Sequence, residues 1–280
     1  MKIKILGSGG GESFPAPFCS CEHCEEARRL GGKNLRTLSQ TLINEDLLID
    51  MPADTNCHAI SYGVNLGKVE SALITHVHCD HFIPAVAFTH GGVQAHNLIY
   101  KDFNFYGASN VKEKCEALFN LYGVGSDVRN SVLFNEIEPY KTTTVGNYKV
   151  IGLKAIHATH LNSLNYVIFD NDKSLLYLID SGYPEEENFK FLESLNIKFN
   201  AVIMDSTYGV GIRRASKFHM SFLDNIELKE ELINRKIADN STKFVITHLT
   251  HNLTESHEKT ENIFKGTNID VAYDGYEIEV

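Results

Sequence analysis

The stretch Ser71-Ala72-Leu73-Ile74-Thr75-His76-Val77-His78-Cys79-Asp80-His81 decides how this chain is read. Its apolar first part, Ser71 to Ile74, reads as a buried strand, and the histidines and aspartate follow where that strand opens into a loop. On extended backbone, side chains two apart share a face. His76 and His78 can therefore grip one ion, while Asp80 and His81, past the bend, turn toward a second. A polar loop that merely happened to be rich in histidine would leave buried polar groups without partners, which is costly. A pair of metal ions supplies those partners.

The surrounding sequence is that of a globular protein. At 280 residues and 43% hydrophobic content the chain can bury a substantial core. Met1-Lys2-Ile3-Lys4-Ile5-Leu6 alternates like a first strand and runs into Gly7-Ser8-Gly9-Gly10-Gly11, with no long apolar region of the signal-peptide kind. No later segment is long and apolar enough for a membrane span. These features lead us to expect a cytoplasmic protein, in which reduced thiols are free to bind metal. The formal charge of −10 argues against a general nucleic-acid binder, because backbone phosphates are repelled over most of such a surface.

No repeat, low-complexity tract or linker divides the sequence, and candidate ligands run from Cys19 to His251, so one domain over 1–280 is expected. Strand-like runs occur at Ile3-Leu6, Gln40-Ile43, Leu47-Ile49, Leu73-Thr75, Phe103-Tyr106, Lys149-Leu153, Tyr166-Phe169, Leu175-Ile179, Ala201-Met204, Phe244-Thr247 and Asp270-Ala272. Helical patterns lie at Glu22 to Arg29, Val111 to Leu121, Pro184 to Leu195 and Met220 to Arg235. Interleaved strands and helices, with short turns such as Asn44-Glu45-Asp46 and Asn171-Asp172-Lys173, predict an α/β chain with mixed sheets flanked by helices.

Four further candidates follow strand-like runs: His160, Asp180, Asp205 and His248. Side chains at strand ends can converge on one edge of an α/β sheet. The order His-x-His-x-Asp-His, then His, Asp and a final His, resembles the metallo-β-lactamase superfamily over nearly the whole chain. That resemblance implies an αββα four-layer sandwich, two mixed β-sheets face to face with helices outside and metals at one edge. It implies His76, His78 and His160 on a first ion, Asp80, His81 and His248 on a second, and Asp180 bridging them. Asp50, after Leu47-Leu48-Ile49, matches an aspartate that buttresses the ligand loop without touching metal. His157 competes with His160, which is preferred because the run from Asn162 to Ile168 resumes a strand at the distance the family shows. Asp205 is assigned support of the site, against a plain turn or helix-cap role.

Two divalent cations a few ångströms apart lower the pKa of a shared water and clamp charge developing on a phosphoryl or carbonyl oxygen. The ligand set suits Zn, Mn or Fe. Cys19-Ser20-Cys21-Glu22-His23-Cys24, a loop at about 19–24, adds three thiolates of zinc-site density. His251 is preferred as the fourth ligand of this structural zinc over His23, whose place between Cys21 and Cys24 would strain the loop.

Gly7-Ser8-Gly9-Gly10, the Cys-x-Cys-x-x-Cys run, Thr247-His248-Leu249-Thr250-His251, Phe218-His219-Met220-Ser221 and Tyr273-Asp274-Gly275-Tyr276-Glu277-Ile278 resemble a narrower branch, the PhnP-type phosphoribosyl cyclic phosphodiesterases. The cysteine-rich start is also similar to PqqB-type cofactor-biosynthesis proteins. The first likeness implies two active-site ions (Mn or Zn), structural Zn on Cys19, Cys21, Cys24 and His251, and catalytic help from His219, with Asp80 as the other catalytic candidate. The segments Phe82 to Asn97 and Ser206 to Lys217 should line the substrate mouth. Arg213, Arg214 and Lys217, just ahead of His219, are candidate phosphate contacts, against the alternative of a solvated loop.

The expected activity is hydrolysis of a small cyclic phosphodiester, such as a phosphoribosyl cyclic phosphate, by a metal-bridging hydroxide. The alternatives are a PqqB-like non-hydrolytic metal protein and, lower on charge and length, an RNA-processing nuclease. Expected partners are the small substrate only, with neither membrane nor nucleic acid. A homodimer is left open.

Overall fold

The computed structural model describes residues 1–280 apart from the side chain of Thr159. In chain order the strands are β1 (Lys2–Gly7), β2 (Gln40–Ile43), β3 (Leu47–Ile49), β4 (Ser71–Leu73), β5 (Phe103–Gly107), β6 (Val132–Glu136), β7 (Thr142–Val145), β8 (Tyr148–Lys154), β9 (Leu164–Asp170), β10 (Lys173–Leu178), β11 (Ala201–Asp205), β12 (Lys243–Thr247), β13 (Ile269–Val271) and β14 (Tyr276–Glu279). They form two seven-stranded sheets, β14-β1-β2-β3-β4-β5-β6 and β13-β12-β11-β10-β9-β8-β7. Both are mixed. In the first, β3 to β6 are parallel and the rest antiparallel; in the second, β10 to β13 are parallel and β7 to β10 antiparallel.

The central strands are apolar on both faces, and their period of two sorts the side chains into separate layers. Leu175, Tyr177, Ile179 and Ile203 point into the core between the sheets, where they meet Ile3, Ile43, Ile49 and Leu73 of the first sheet. The intervening Leu176, Leu178, Val202 and Met204 point outward, against helices. Those helices are α1 (Glu22–Leu30), α2 (Thr55–Tyr62), α3 (Ser109–Leu121), α4 (Ser126–Ser131), α5 (Glu186–Ser194), α6 (Phe222–Asn234) and α7 (His257–Ile263). α3 buries Val111, Cys115 and Phe119, spaced four apart, on the outer face of the first sheet. α5 and α6 cover the second with Phe189, Leu192, Leu228 and Leu232. Each such side chain contributes about 1.5–3 kcal/mol of burial. Helix, sheet, sheet and helix make the four layers expected of the αββα sandwich.

Two cross-sheet ties place the ligand loop. Tyr166 of β9 donates its hydroxyl to the Ile74 carbonyl at 2.5 Å, and the Leu164 amide donates to the Thr75 carbonyl at 2.8 Å. The first residues after β4 are thereby fixed against the second sheet. Among the described residues, no helix is long and apolar enough to cross a membrane.

Candidate metal centre

The functional side chains sit where strands end along one edge of the sandwich. Asp50 follows β3, His76 to His81 follow β4, His157 follows β8, Asp180 follows β10, Asp205 ends β11 and His248 follows β12. Asp50, Asp180 and His248 have left-handed backbone, with φ of 64°, 51° and 64°. That conformation costs a residue with a Cβ about 1–2 kcal/mol, and here it turns the chain sharply off the strand at each site position. Gly10 serves the same edge by being small. A Cβ there would lie 3.0 Å from the His248 ring, so the N-terminal loop can pass directly over it.

Two groups of side chains converge. His76 Nε2, His78 Nδ1, His157 Nε2 and an Asp180 carboxylate oxygen form the first; Asp80, His81, Asp180 and His248 form the second. In the first, His78 Nδ1 is 2.9 Å from His76 Nε2 and 3.1 Å from His157 Nε2. Asp180 Oδ2 lies 3.2 Å from His76 Nε2, 3.1 Å from His157 Nε2 and 3.4 Å from His81 Nε2, so one oxygen faces both groups.

Hydrogen bonds around the rings fix which nitrogens are free. His81 Nδ1 donates to Asp50 Oδ2 at 2.7 Å. The Thr207 hydroxyl donates to Asp205 Oδ2 and so accepts from His248 Nδ1, each at 2.7 Å. The two Nε2 atoms left over face each other at 3.1 Å. Two neutral rings so arranged would oppose lone pair to lone pair, so the gap requires a proton or a cation. Without metal the proton wins: burial disfavours a charged His81, but Asp50 and Asp80 outweigh it and hold its pKa well above the ordinary imidazole value. A cation bound there would take that proton's place.

Charge elsewhere in the site is consistent with this. Burial pushes the other way, yet the surrounding histidines hold Asp80 and Asp180 well below the usual carboxylate range. Burial lowers His76 and His78 and takes His157 down to about 4, leaving neutral rings suited to coordination. Asp180 Oδ1 and His219 Nδ1 are buried, 3.0 Å apart and without an aligned hydrogen bond. Orphaned buried polar atoms of this kind, in ligand groups that hold five imidazoles and two carboxylates, fit a pair of divalent cations.

The histidine contributed by the segment after β8 is His157, in place of the expected His160. Ala155 N–H donates to the Ser163 carbonyl, closing a turn, and left-handed Ala158 and Asn162 reverse the chain within it. His157, on the inward limb, reaches His78 and Asp180, whereas His160 lies exposed and outside both groups. Asp50 supports the loop as expected, accepting also from the Thr75 amide at 2.8 Å. Asp205 takes the Thr207 hydroxyl and the Met220 amide, and lies 3.9 Å from His219. Burial opposes charge on His219, but Asp180 and Asp205 raise its pKa to about 10.

The expected basic phosphate contacts are directed elsewhere. Arg214 pairs with Asp224 and Glu227 of α6 and stacks over Tyr183, and Arg213 pairs with Glu227. Lys217 lines a different cavity, behind the His157 segment.

Cys19, Cys21, Cys24 and His251 form a separate cluster. Cys21 Sγ is 3.5 Å from His251 Nδ1, and His251 Nε2 is 3.0 Å from Glu12 Oε1. The Glu12 carboxylate accepts from Nε2–H and so directs Nδ1 at the sulfur, where without metal an Nδ1–H can donate to a thiolate and a cation would take that proton's place, the usual outer arrangement of a zinc-binding histidine. His251 lowers the Cys21 thiol to about 6, while burial raises Cys24 to about 12. Only a cation would make all three sulfurs thiolates together.

A cavity of about 460 Å³ opens over the paired groups, lined by His78, Asp80, His157, Asp180, His219 and His248 together with Gly11, Glu12, Thr207, Tyr208, Thr250, Asn252 and Leu253. Of the segments expected at the mouth, Ser206 to Lys217 contributes Thr207 and Tyr208, while Phe82 to Asn97 contributes no lining residue among those described. Glu12 and Asn252 were not foreseen. Their signal was position alone, one residue after the glycine run and one after His251.

No family model matches the sequence, and no curated protein matches it. Solved structures do. A new diphosphatase from the PhnP family is similar over 100% of this chain and 97% of its own, at 18% identity and a TM-score of 0.72. Zn²⁺-bound PqqB from Methylobacterium extorquens covers 100% of both chains at 15% identity and 0.71. The metallo-β-lactamase fold protein YhfI from Bacillus subtilis covers 100% of this chain and 99% of its own at 18% and 0.69.

Proposed function

We propose that this chain, which has the metallo-β-lactamase fold, is a metal-dependent hydrolase that cleaves a small cyclic phosphodiester. The observation that carries the proposal is the position of Asp180 Oδ2, within 3.4 Å of nitrogens from both ligand groups. His76, His78 and His157 would hold one divalent ion, Asp80, His81 and His248 the other, with Asp180 able to serve both. When bound, two such ions bring a water's pKa near neutrality and neutralise charge on a phosphoryl group. Asp50 and Asp205 keep His81 and His248 in the tautomer that presents Nε2. His219, at the cavity wall 3.0 Å from Asp180, is placed to give a proton to the leaving alkoxide, a role worth a factor of roughly 10²–10⁴. No side chain need become covalently attached. The thiolate cluster would hold a structural zinc.

Elemental analysis together with hydrolysis of bis(p-nitrophenyl) phosphate tests this. The wild-type protein should carry two ions beyond the thiolate zinc and turn over the diester with Mn or Zn. Asp180→Asn should lower turnover by roughly 10²-fold or more. Undiminished turnover in that variant would reject the bridging role.

A further inference from the structure

The wall of the cavity carries a charge that the paired-ion chemistry does not use. Gly11 sits against the second ligand group, since a Cβ on it would lie 4.0 Å from Asp80 Oδ2. The next residue, Glu12, lines the cavity. Its Oε1 is held by His251 Nε2 at 3.0 Å and by Asn252 Nδ2 at 3.1 Å. Oε2 takes no hydrogen bond from the described residues. The carboxylate is therefore fixed in direction by the thiolate cluster's own histidine, with one oxygen left to accept from a ligand. Among the described residues the lining includes no lysine or arginine. The three basic residues ahead of His219 are spent on α6 or face another cavity.

We infer that this site takes a substrate with one phosphodiester and an uncharged, hydroxyl-bearing remainder, and that Glu12 is the residue selecting it. This rests on the phosphodiester reading. With phosphorus at the paired ions, the part of the substrate lying over Asp80 and His248 meets Glu12. A hydroxyl there donates to Oε2, and charge-assisted hydrogen bonds are among the strong ones. A second phosphate there meets a like charge with no lysine or arginine in the described lining to offset it, and repulsion of this kind is a common means of specificity. The thiolate cluster thus acts on substrate choice through His251, beyond holding the loop.

The test compares kcat/KM for ribose 1,2-cyclic phosphate, its 5-phosphorylated form and bis(p-nitrophenyl) phosphate in wild type and Glu12→Gln. Glutamine keeps a carbonyl for His251 and removes the charge. Wild type should prefer the unphosphorylated ribose compound by about tenfold or more, and Glu12→Gln should lose most of that preference with thiolate-site zinc unchanged. Equal use of the two ribose compounds by wild type, a preference for the phosphorylated one, or a preference untouched by Glu12→Gln would overturn the role of Glu12 while the aryl diester is still cleaved. Loss of zinc from Glu12→Gln with the preference retained would show a structural partner of His251 only. Failure of wild type to cleave any of the three would remove the phosphodiester reading itself.

Discussion

Replacing Asp50 by asparagine should weaken one cation position far more than the other. Asp50 is fully buried and accepts from His81 Nδ1 at 2.7 Å, the Thr75 amide at 2.8 Å and the Thr75 hydroxyl at 3.0 Å. Asparagine is nearly isosteric and tolerates the left-handed backbone at this position, so the turn after β3 survives. Its amide can still accept from Thr75 through one atom. The other atom becomes an NH₂ facing His81 Nδ1–H, two donors opposed. His81 must then move its proton to Nε2, where the cation belongs. The lost charge-assisted bond is worth about 1.5–3 kcal/mol. Removing such an outer partner typically costs 10–100-fold in metal affinity, about 1.4–2.7 kcal/mol, the same range by an independent route. Competitive titration with a chromogenic chelator should therefore show one site weakened by 10–100-fold and the site on His76, His78 and His157 changed much less. Two sites both at wild-type affinity, in a variant with an unchanged circular dichroism spectrum, would refute the reasoning.

His157→Ala should remove one active-site ion and most diester hydrolysis, whereas His160→Ala should retain both ions and most of the activity; metal counting and turnover on the two variants would reveal a reversed order. Cys21→Ser should lose the thiolate-site zinc and lower the melting temperature, and a variant that keeps its zinc in elemental analysis would contradict the cluster. In metal-free protein, His219 has a folded pKa of about 10 against an ordinary value near 6.5, so its stabilising contribution is complete below about pH 6.5 and lost as pH rises through about 10. The melting temperature gap between wild type and His219→Gln should accordingly be larger at pH 6.5 than above pH 10, and a gap that widened with pH would have the wrong sign.

The interior of the sandwich was legible because its strands are apolar on both faces. Leu175-Leu176-Tyr177-Leu178-Ile179 and Val202-Ile203-Met204 stand out from any background. The strands absent from the sequence reading, β6, β7 and β14, are all at sheet edges. An edge strand bonds on one side only and is half exposed, so Thr142-Thr143-Thr144-Val145 and Tyr276-Glu277-Ile278-Glu279 carry too little apolar content to be read alone. The short helices α2 and α4 had no clear amphipathic period. In the site, the compact His76–His81 motif needed only strand geometry to interpret. The choice between His157 and His160 depended on a turn with two left-handed residues, for which no sequence period exists. Arg213 and Arg214 looked available because charge in sequence does not reveal that α6 supplies Asp224 and Glu227 to receive it.

Each ligand group takes two residues from each half of the molecule: His76 and His78 with His157 and Asp180, and Asp80 and His81 with Asp180 and His248. Any ion seated there is a rivet through both sheets at one rim, while the opposite rim is joined by packing and by the hydrogen bonds from Asn44 Nδ2 to the Tyr148 hydroxyl and to Asp170. Loading the protein should thus tighten the sandwich unevenly, and the mouth through which substrate enters is the part whose spacing the ions themselves would set.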